Sequence, residues 1–420
     1  MIAPDQAWRL ILDRATPLPT VTLSADKALG HYLAAPVFAD RDIPPTDRSA
    51  MDGFAVRSDD LQVAPVDLTV LGELAAGSNA EFHVAAGCCV RIYTGACIPP
   101  GADAVVMQED TSPADAILRS SDPPSPGNAS RPDAIRILKS VSRGANVFKR
   151  GENARQGDTL LTAGIRLDPS GVAVCAAVGC GHVPVHGRPR VSVLSTGTEL
   201  LAEDSGALPH QTRNSNGPFL CAALAEQDFP IVACETVADR PAEIIAALQR
   251  ASEKSDTVIL TGGISVGKYD PVPEAIRQAG GIIHYHGVAM KPGKPQLFAT
   301  GPWKSLVFGL PGNPLSAMTG FHELVLPALR RQAGCPSDQC RPTMVVRLAH
   351  ELSTKGDRLQ FVPARLKWTE NGAEATAVDV HGTADLVAGS KADGALIVPE
   401  GTRRMEAGAF VGFRPWRFLP

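Results

Sequence analysis

The sequence predicts a multidomain protein of α/β plus β class: a mainly parallel α/β sheet domain, an N-terminal helical/β region and a small C-terminal β domain. Three observations predict it. From Arg190 to about residue 332, strand-like runs alternate with helix-like runs across short turns, which is the pattern of a parallel sheet covered on both faces. Before that stretch, short β-branched runs are separated by Gly and Pro. After Gly334-Cys335-Pro336 the helical pattern stops and strand-like runs return.

The elements follow in order. MIAPDQAWRLILDRA sets Trp8, Leu10, Ile11 and Leu12 among charged residues, which suits an amphipathic helix better than a signal peptide. VDLTVLGEL, CCVRIYTG and ADAVVMQED read as strands, as do IRILKSV and ANVFKRG. Between them, residues 111–134 are rich in Pro, Ser, Ala and Asp and read as a surface loop or insertion. In the α/β stretch VSVLSTG leads to PFLCAALAEQ, IVACETV to PAEIIAALQRASE, and DTVILTGG to PVPEAIRQAG. After GIIHYHGVAM and QLFATG, SLVFGLPGN leads to PLSAMTGFHELVLPALRR, where Asn313 is the expected N-cap and Pro314 the first helical residue. TMVVRLAHEL, RLQFVPARLKW, EATAVDV and GALIVPEG supply the tail strands. The expected division is 1–24 with 157–188 as a linking domain, 25–156 as a mostly β domain, 189–333 as the α/β domain, and 334–420 as the β tail.

The 420 residues suit two to four domains, with 44% hydrophobic and 20% charged content as in soluble globular chains. A net charge of −4 gives no global basic signal, so bulk electrostatics do not favour nucleic acid. No run of apolar residues reaches membrane-spanning length, and the expected compartment is the cytoplasm. The nine cysteines contain no paired C-x-x-C, so they are expected to be reduced and mostly buried. His284 and His286 alternate on one strand and read as polar strand residues rather than as a metal pair.

TVILTGGISVGKYD, residues 257–270, resembles a phosphate-binding loop until its last position. Gly262, Gly267 and Lys268 match G-x-x-x-x-G-K, but Tyr269 stands where a small hydroxyl would ligate Mg²⁺. Ligands of open parallel sheets bind beyond the carboxyl ends of the strands. Three such ends carry glycine turns here: Ser195, Thr196 and Gly197 before Glu199; Gly262, Gly263, Ser265 and Gly267 before Asp270; and Pro311, Gly312 and Asn313. Gly lets a backbone approach an anion closely. Glu199, Asp239 and Asp270 would hold a hard cation such as Mg²⁺, or each would simply complement a helix dipole. Lys291 and Lys294, on the stiff MKPGKPQ loop, suit a phosphate or oxyanion, or form a solvated pair. DRSAMDGFAV with Asp52, YTGA and GENAR are ambiguous in isolation.

Together, DRSAMDGFAV, YTGACIPPGADAVVMQED, GENARQGD, VSVLSTGTEL, NSNGPFL, TGGISVGKYD, KPGKP and GLPGNPLSA resemble the molybdopterin molybdenumtransferases, the MoeA family, whose order they keep from Asp47 to about Ala317. The resemblance implies a molybdopterin-binding fold for the α/β domain and an elongated homodimer of four domains per chain. It implies an active cleft between the α/β domain of one subunit and the β region of the other. It also implies an Mg²⁺-dependent insertion of molybdate into adenylyl-molybdopterin, with release of AMP. Carried over by motif are Asp52, Thr94, Arg155, Glu199, Asp239, Asp270, Lys291 and Lys294, with Ser265 and the glycine amides cradling the pterin phosphate. Contacts with the upstream adenylyltransferase and with apo-molybdoenzymes would follow. Thr198, Leu160, Lys268 and Pro363 depart from the family's usual residues. A tungstate-selective paralogue, a non-catalytic molybdopterin-binding scaffold and an adenylyltransferase are the alternatives.

Overall fold

The structure, a computed structural model, describes residues 1–79, 81–114, 134–265 and 270–417. The chain forms two compact units: one of Met1–Ala35, Ala163–Val172 and His182–Pro420, the other of Pro36–Thr162 and Ala173–Gly181.

The first unit is built on a six-stranded sheet: β1 (Val191–Thr196), β2 (Ile231–Val237), β3 (Thr257–Thr261), β4 (Ile282–His286), β5 (Leu297–Thr300) and β6 (Leu306–Leu310), in the order β2-β1-β3-β6-β5-β4. The first four in that order run parallel, β5 runs antiparallel to β6, and β4 pairs antiparallel with β5 and so points the same way as the first four. The expected mainly parallel sheet is therefore present. Its sequence logic is visible in burial. The inner strands VSVLST, TVILT and LVFGL are buried at every position because helices cover both faces, while the edge strand IVACETV is mostly exposed. Helices α1 (Asn216–Glu226), α2 (Pro241–Lys254), α3 (Val272–Gln278) and α4 (Pro314–Gly320) follow β1, β2, β3 and β6. The helix after β6 continues through a π-helical turn, Phe321–Val325, into Leu326–Gln332.

Phe298, Phe308 and Phe321 anchor one core, with Ile11 of the N-terminal helix Pro4–Leu12 packed into it. Each such side chain contributes about 2–3 kcal/mol by leaving water. Phe361, Ala395 and Trp416 of the tail join the same core.

The tail is more closed than the sequence implied. Strands Met344–Leu348, Leu359–Thr369, Gly372–Ala377, Gly394–Val398 and Phe410–Pro415 pair in a ring, so no edge is left between the first and last. The expectation that helices stop at Pro336 is corrected by a short helix, Leu386–Lys391, whose N-cap Asp385 accepts from the Ala388 amide at 2.9 Å. Its six residues are too few for a helical period to stand out in sequence.

The second unit carries a six-stranded sheet in the order Ala104–Met107, Gly53–Val56, Cys88–Ile92, Val66–Leu74, Ala134–Ile137, Thr111–Pro113. The ends of the expected 111–134 loop are thus paired strands, and the rest of that segment lies outside the described residues. No helix among the described residues is long and apolar enough to cross a membrane. All nine cysteines are free thiols.

Candidate functional site

A cavity of about 670 Å³ opens at the carboxyl ends of β1, β3 and β6. Its wall includes Ser195, Thr196, Glu199, Asp239, Gly262, Gly263, Ser265, Asp270, Pro311, Gly312 and Asn313. The three glycine turns expected from sequence therefore meet in one place. Gly267 lies outside the described residues.

Gly262 is the residue that lets them meet. Its φ is +94°, and a Cβ there would stand 2.3 Å from the Thr196 carbonyl oxygen. Only glycine fits both the backbone angle and the contact. Gly197 lies close beneath Glu199, because a Cβ on it would be 3.0 Å from both carboxylate oxygens.

The turns are fastened by residues that sequence reasoning did not assign. Asn216 donates to Thr261 Oγ1 and to the Gly312 carbonyl, each at 2.9 Å. Thr261 Oγ1 donates to the Pro311 carbonyl at 3.2 Å. Asn214 accepts from the Gly217 amide at 3.0 Å and donates to Thr236 Oγ1 at 3.2 Å. His286 Nε2 donates to the Ile264 carbonyl at 2.5 Å, and His284 Nε2 bonds Thr300 Oγ1 at 2.8 Å. The histidines are polar strand residues, as expected, and one of them also pins the turn. The segment NSNGPFL was the available signal for the asparagines. Their role needed knowledge of which strand ends lie side by side.

Asn313 stands where the sequence expected it. It occupies the N-cap position and Pro314 follows, but its side chain makes no cap bond. Its amide donates instead to Thr383 Oγ1 of the tail at 2.8 Å. Thr383 lines a second cavity, of about 530 Å³, together with Lys291, Thr354, Lys355 and Gln360. Lys291 thus borders this cavity, next to the first across the Asn313–Thr383 bond. Lys294 accepts from the Val288 and Gln296 amides through its carbonyl, and Pro295 reaches the first cavity.

Within the first cavity the acids sense one another. Burial raises the Asp239 carboxyl above the usual range, and the negative charges of Glu199 and then Asp270 add to the rise. Asp239 Oδ1 and Ser195 Oγ are buried without a hydrogen-bond partner. Glu199, Asp239 and Asp270 share the cavity without closing into a cage: among the described residues no three His, Cys, Asp or Glu side chains come together closely enough to hold a metal.

The remaining expected residues belong to the second unit. Asp52 immediately precedes the strand Gly53–Val56, and its Oδ1 accepts from the Thr94 amide and the Thr94 hydroxyl, each at 2.8 Å. Those two bonds, the backbone one first, hold its carboxyl below the usual range. Gly53 packs so tightly that a Cβ would sit 1.9 Å from the Val106 carbonyl oxygen. The Arg155 amide donates to Asp158 at 2.8 Å, so Asp158 closes the GENARQGD turn.

The family descriptions "MoeA N-terminal region (domain I and II)", "Probable molybdopterin binding domain" and "MoeA C-terminal region (domain IV)" match residues 2–179, 192–331 and 345–416. A molybdopterin molybdenumtransferase of Staphylococcus aureus (strain Mu50) is 33% identical over 412 residues, 97% of this chain and 94% of that protein. The chain belongs to the MoeA family. A second relative of that name, from Staphylococcus epidermidis, is 31% identical over 98% of this chain and 94% of its own length. Among solved structures, the molybdopterin biosynthesis MoeA protein of Pyrococcus horikoshii OT3 superposes with a TM-score of 0.80 at 28% identity, covering 99% of this chain and 100% of that one. The multidomain MoeA fold, with its small C-terminal β domain, is therefore the fold of this chain.

Proposed function

We propose that this chain inserts molybdenum into molybdopterin, taking molybdate and adenylyl-molybdopterin as substrates and releasing AMP. The observation that carries the reading is the cavity at the strand ends: three glycine turns, three orphaned buried oxygen atoms (on Ser195, Thr196 and Asp239) and three acids, in a chain similar along its whole length to molybdopterin molybdenumtransferases. That full-length similarity favours insertion over a divergent or non-catalytic role.

The substrates are anions, and charge on phosphate oxygens must be held as the anhydride linkage to AMP breaks. The Gly263 amide and the Ser265 hydroxyl would cradle the phosphate, while the Gly262 amide donates to the Leu310 carbonyl at 3.1 Å and so holds the turn. The loop ammoniums of Lys291 and Lys294 would add positive charge and hold the oxyanion. Mg²⁺ suits the donor set, because the ligands on offer are hard carboxylate oxygens and are too few for an all-protein cage. One or two of Glu199, Asp239 and Asp270 would hold it together with substrate phosphate oxygens, since the three do not close into a cage, and bound there it would neutralise phosphate charge. Asp52, held acidic by Thr94, would orient the metal or dithiolene end of the substrate from a partner subunit, with Thr94 beside it and Arg155 of the GENARQGD turn binding the cofactor. This makes the working protein a homodimer, placed in the cytoplasm with adenylyltransferase and apo-molybdoenzyme partners. The proposed domains remain 1–24 with 157–188, 25–156, 189–333 and 334–420.

The test incubates purified protein with adenylyl-molybdopterin, Mg²⁺ and molybdate. AMP release and reconstitution of an apo-molybdoenzyme are expected, both dependent on molybdate and both absent in Asp270→Ala and Lys294→Ala with unchanged circular dichroism. Substrate binding without either product would sink the reading.

A further inference from the structure

A second cluster of charge lies in the first unit, away from the strand-end cavity. Arg166, Arg188 and Arg330 come from three separate segments and line one cavity of about 160 Å³ with Gly30, His31 and Tyr32. No Asp or Glu among the described residues lines it. The nearest relief is Asp228, whose carboxylate stands 3.7 Å from Arg188 Nη2 and is largely exposed.

Apart from that long contact between Arg188 and Asp228, the guanidiniums are held by neutral groups that orient them. Arg166 Nε donates to the Gly30 carbonyl at 3.2 Å, and Arg188 Nη2 to the Leu29 carbonyl at 3.1 Å. Arg330 donates to the Cys340 carbonyl at 3.4 Å and to Gln227 Oε1 at 3.1 Å. The space between two of them is set by a glycine. Gly30 has φ +77°, and the point where its Cβ would stand is 2.9 Å from Arg188 Nη2 and 3.4 Å from Arg166 Nη2. Any side chain at residue 30 would intrude on that gap. His31 Nδ1 is buried there without a partner.

Like charges gathered this way oppose one another. Burial holds Arg188 and Arg330 below the usual arginine value, and Arg166 pushes each further down. A bound anion would reverse that cost, since guanidinium forks match the geometry of oxyanions and grip them with paired N–H bonds.

We infer that the Gly30 turn, Arg166, Arg188 and Arg330 form a second anion site, which takes a tetrahedral oxyanion of the phosphate class. Inorganic phosphate and molybdate share this chemistry. The inference is independent of the reaction proposed for the strand-end cavity.

Isothermal titration of the full-length protein with inorganic phosphate, and separately with molybdate, tests it. Arg166 is exposed, so Arg166→Ala is expected to keep its fold and to weaken one binding step by about tenfold or more, as loss of a charge-assisted bond requires. In crystals of the wild-type protein soaked in selenate, an anomalous peak is expected between the Arg166 and Arg188 guanidiniums. Isotherms unaltered by Arg166→Ala, or crystals without that peak, overturn the inference. The anion with the tighter step identifies the natural occupant.

Discussion

Asn216 and Thr261 are joined by a 2.9 Å hydrogen bond that ties the start of α1 to the end of β3. The same amide also holds the Gly312 carbonyl, so one side chain fixes two of the three turns around the cavity. Asn216→Ala removes both bonds and leaves the Thr261 hydroxyl only its own bond to the Pro311 carbonyl, at a cost of about 1–3 kcal/mol for the two together. A lower melting temperature and weaker binding of adenylyl-molybdopterin are expected. Thermal unfolding with and without the nucleotide checks both, and an unshifted melting curve would refute the account of how the turns are held.

Gly262→Ala is expected to be harsher. The added methyl would meet the Thr196 carbonyl oxygen, which is backbone and cannot swing aside, at an angle that side chains rarely adopt. Strain of this kind costs about 1–3 kcal/mol before the contact is counted. The measurement is denaturant unfolding beside Gly312→Ala, whose added Cβ meets nothing nearer than 3.7 Å. Equal losses in the two variants would contradict the reading.

Thr94→Val removes one of the two bonds that keep the Asp52 carboxyl acidic. Its titration midpoint is expected to move up toward the ordinary aspartate value but not to reach it, because the Thr94 amide still donates. Carboxyl NMR across the acid range reads this directly. Asp52→Ala is expected to fold with a small loss of stability, from the two bonds to Thr94, and to abolish insertion.

His322 gives the fold an acid-sensitive point. It is buried, stacked on Trp416 with ring centroids 5.3 Å apart, and burial and then Arg330 push its pKa down to about 3. The folded protein keeps the ring neutral where the unfolded chain takes up a proton. Stability is therefore full above the ordinary histidine value of 6.5 and falls as the pH drops toward 3, by at most about 1.4 kcal/mol per pH unit. His322→Phe is expected to flatten that slope in chemical denaturation series between neutral and mildly acid pH. An unchanged slope would assign it to other groups.

How much of this was legible in the sequence depended on range. The inner strands announced themselves, since VSVLST and TVILT are apolar runs closed by glycine turns. Glu199, Asp239 and Asp270 could be named because each follows a strand of one parallel sheet. Asn313 was legible as an N-cap, but its side-chain bond to Thr383, seventy residues away, was not, because local sequence does not show tertiary neighbours. His286 and Asn216 were invisible as supports for the same reason: their partners are set by tertiary neighbours. The closed ring of the tail was hidden too, because the strand Phe410–Pro415 carries no turn signal that separates it from a loop.

The strand that carries Lys291 has a further consequence. Met290 and Lys291 pair in parallel with Leu359 and Gln360, the first residues of the long tail strand that also bears Pro363. The loop with the two lysines is thus hung from the C-terminal β domain. A chimera that kept the α/β domain and borrowed a tail from another member would move Lys291 along with the graft. A change that displaced Leu359 or Gln360 in the tail would therefore reach the lysine loop through the backbone alone, without touching any residue of the strand-end cavity.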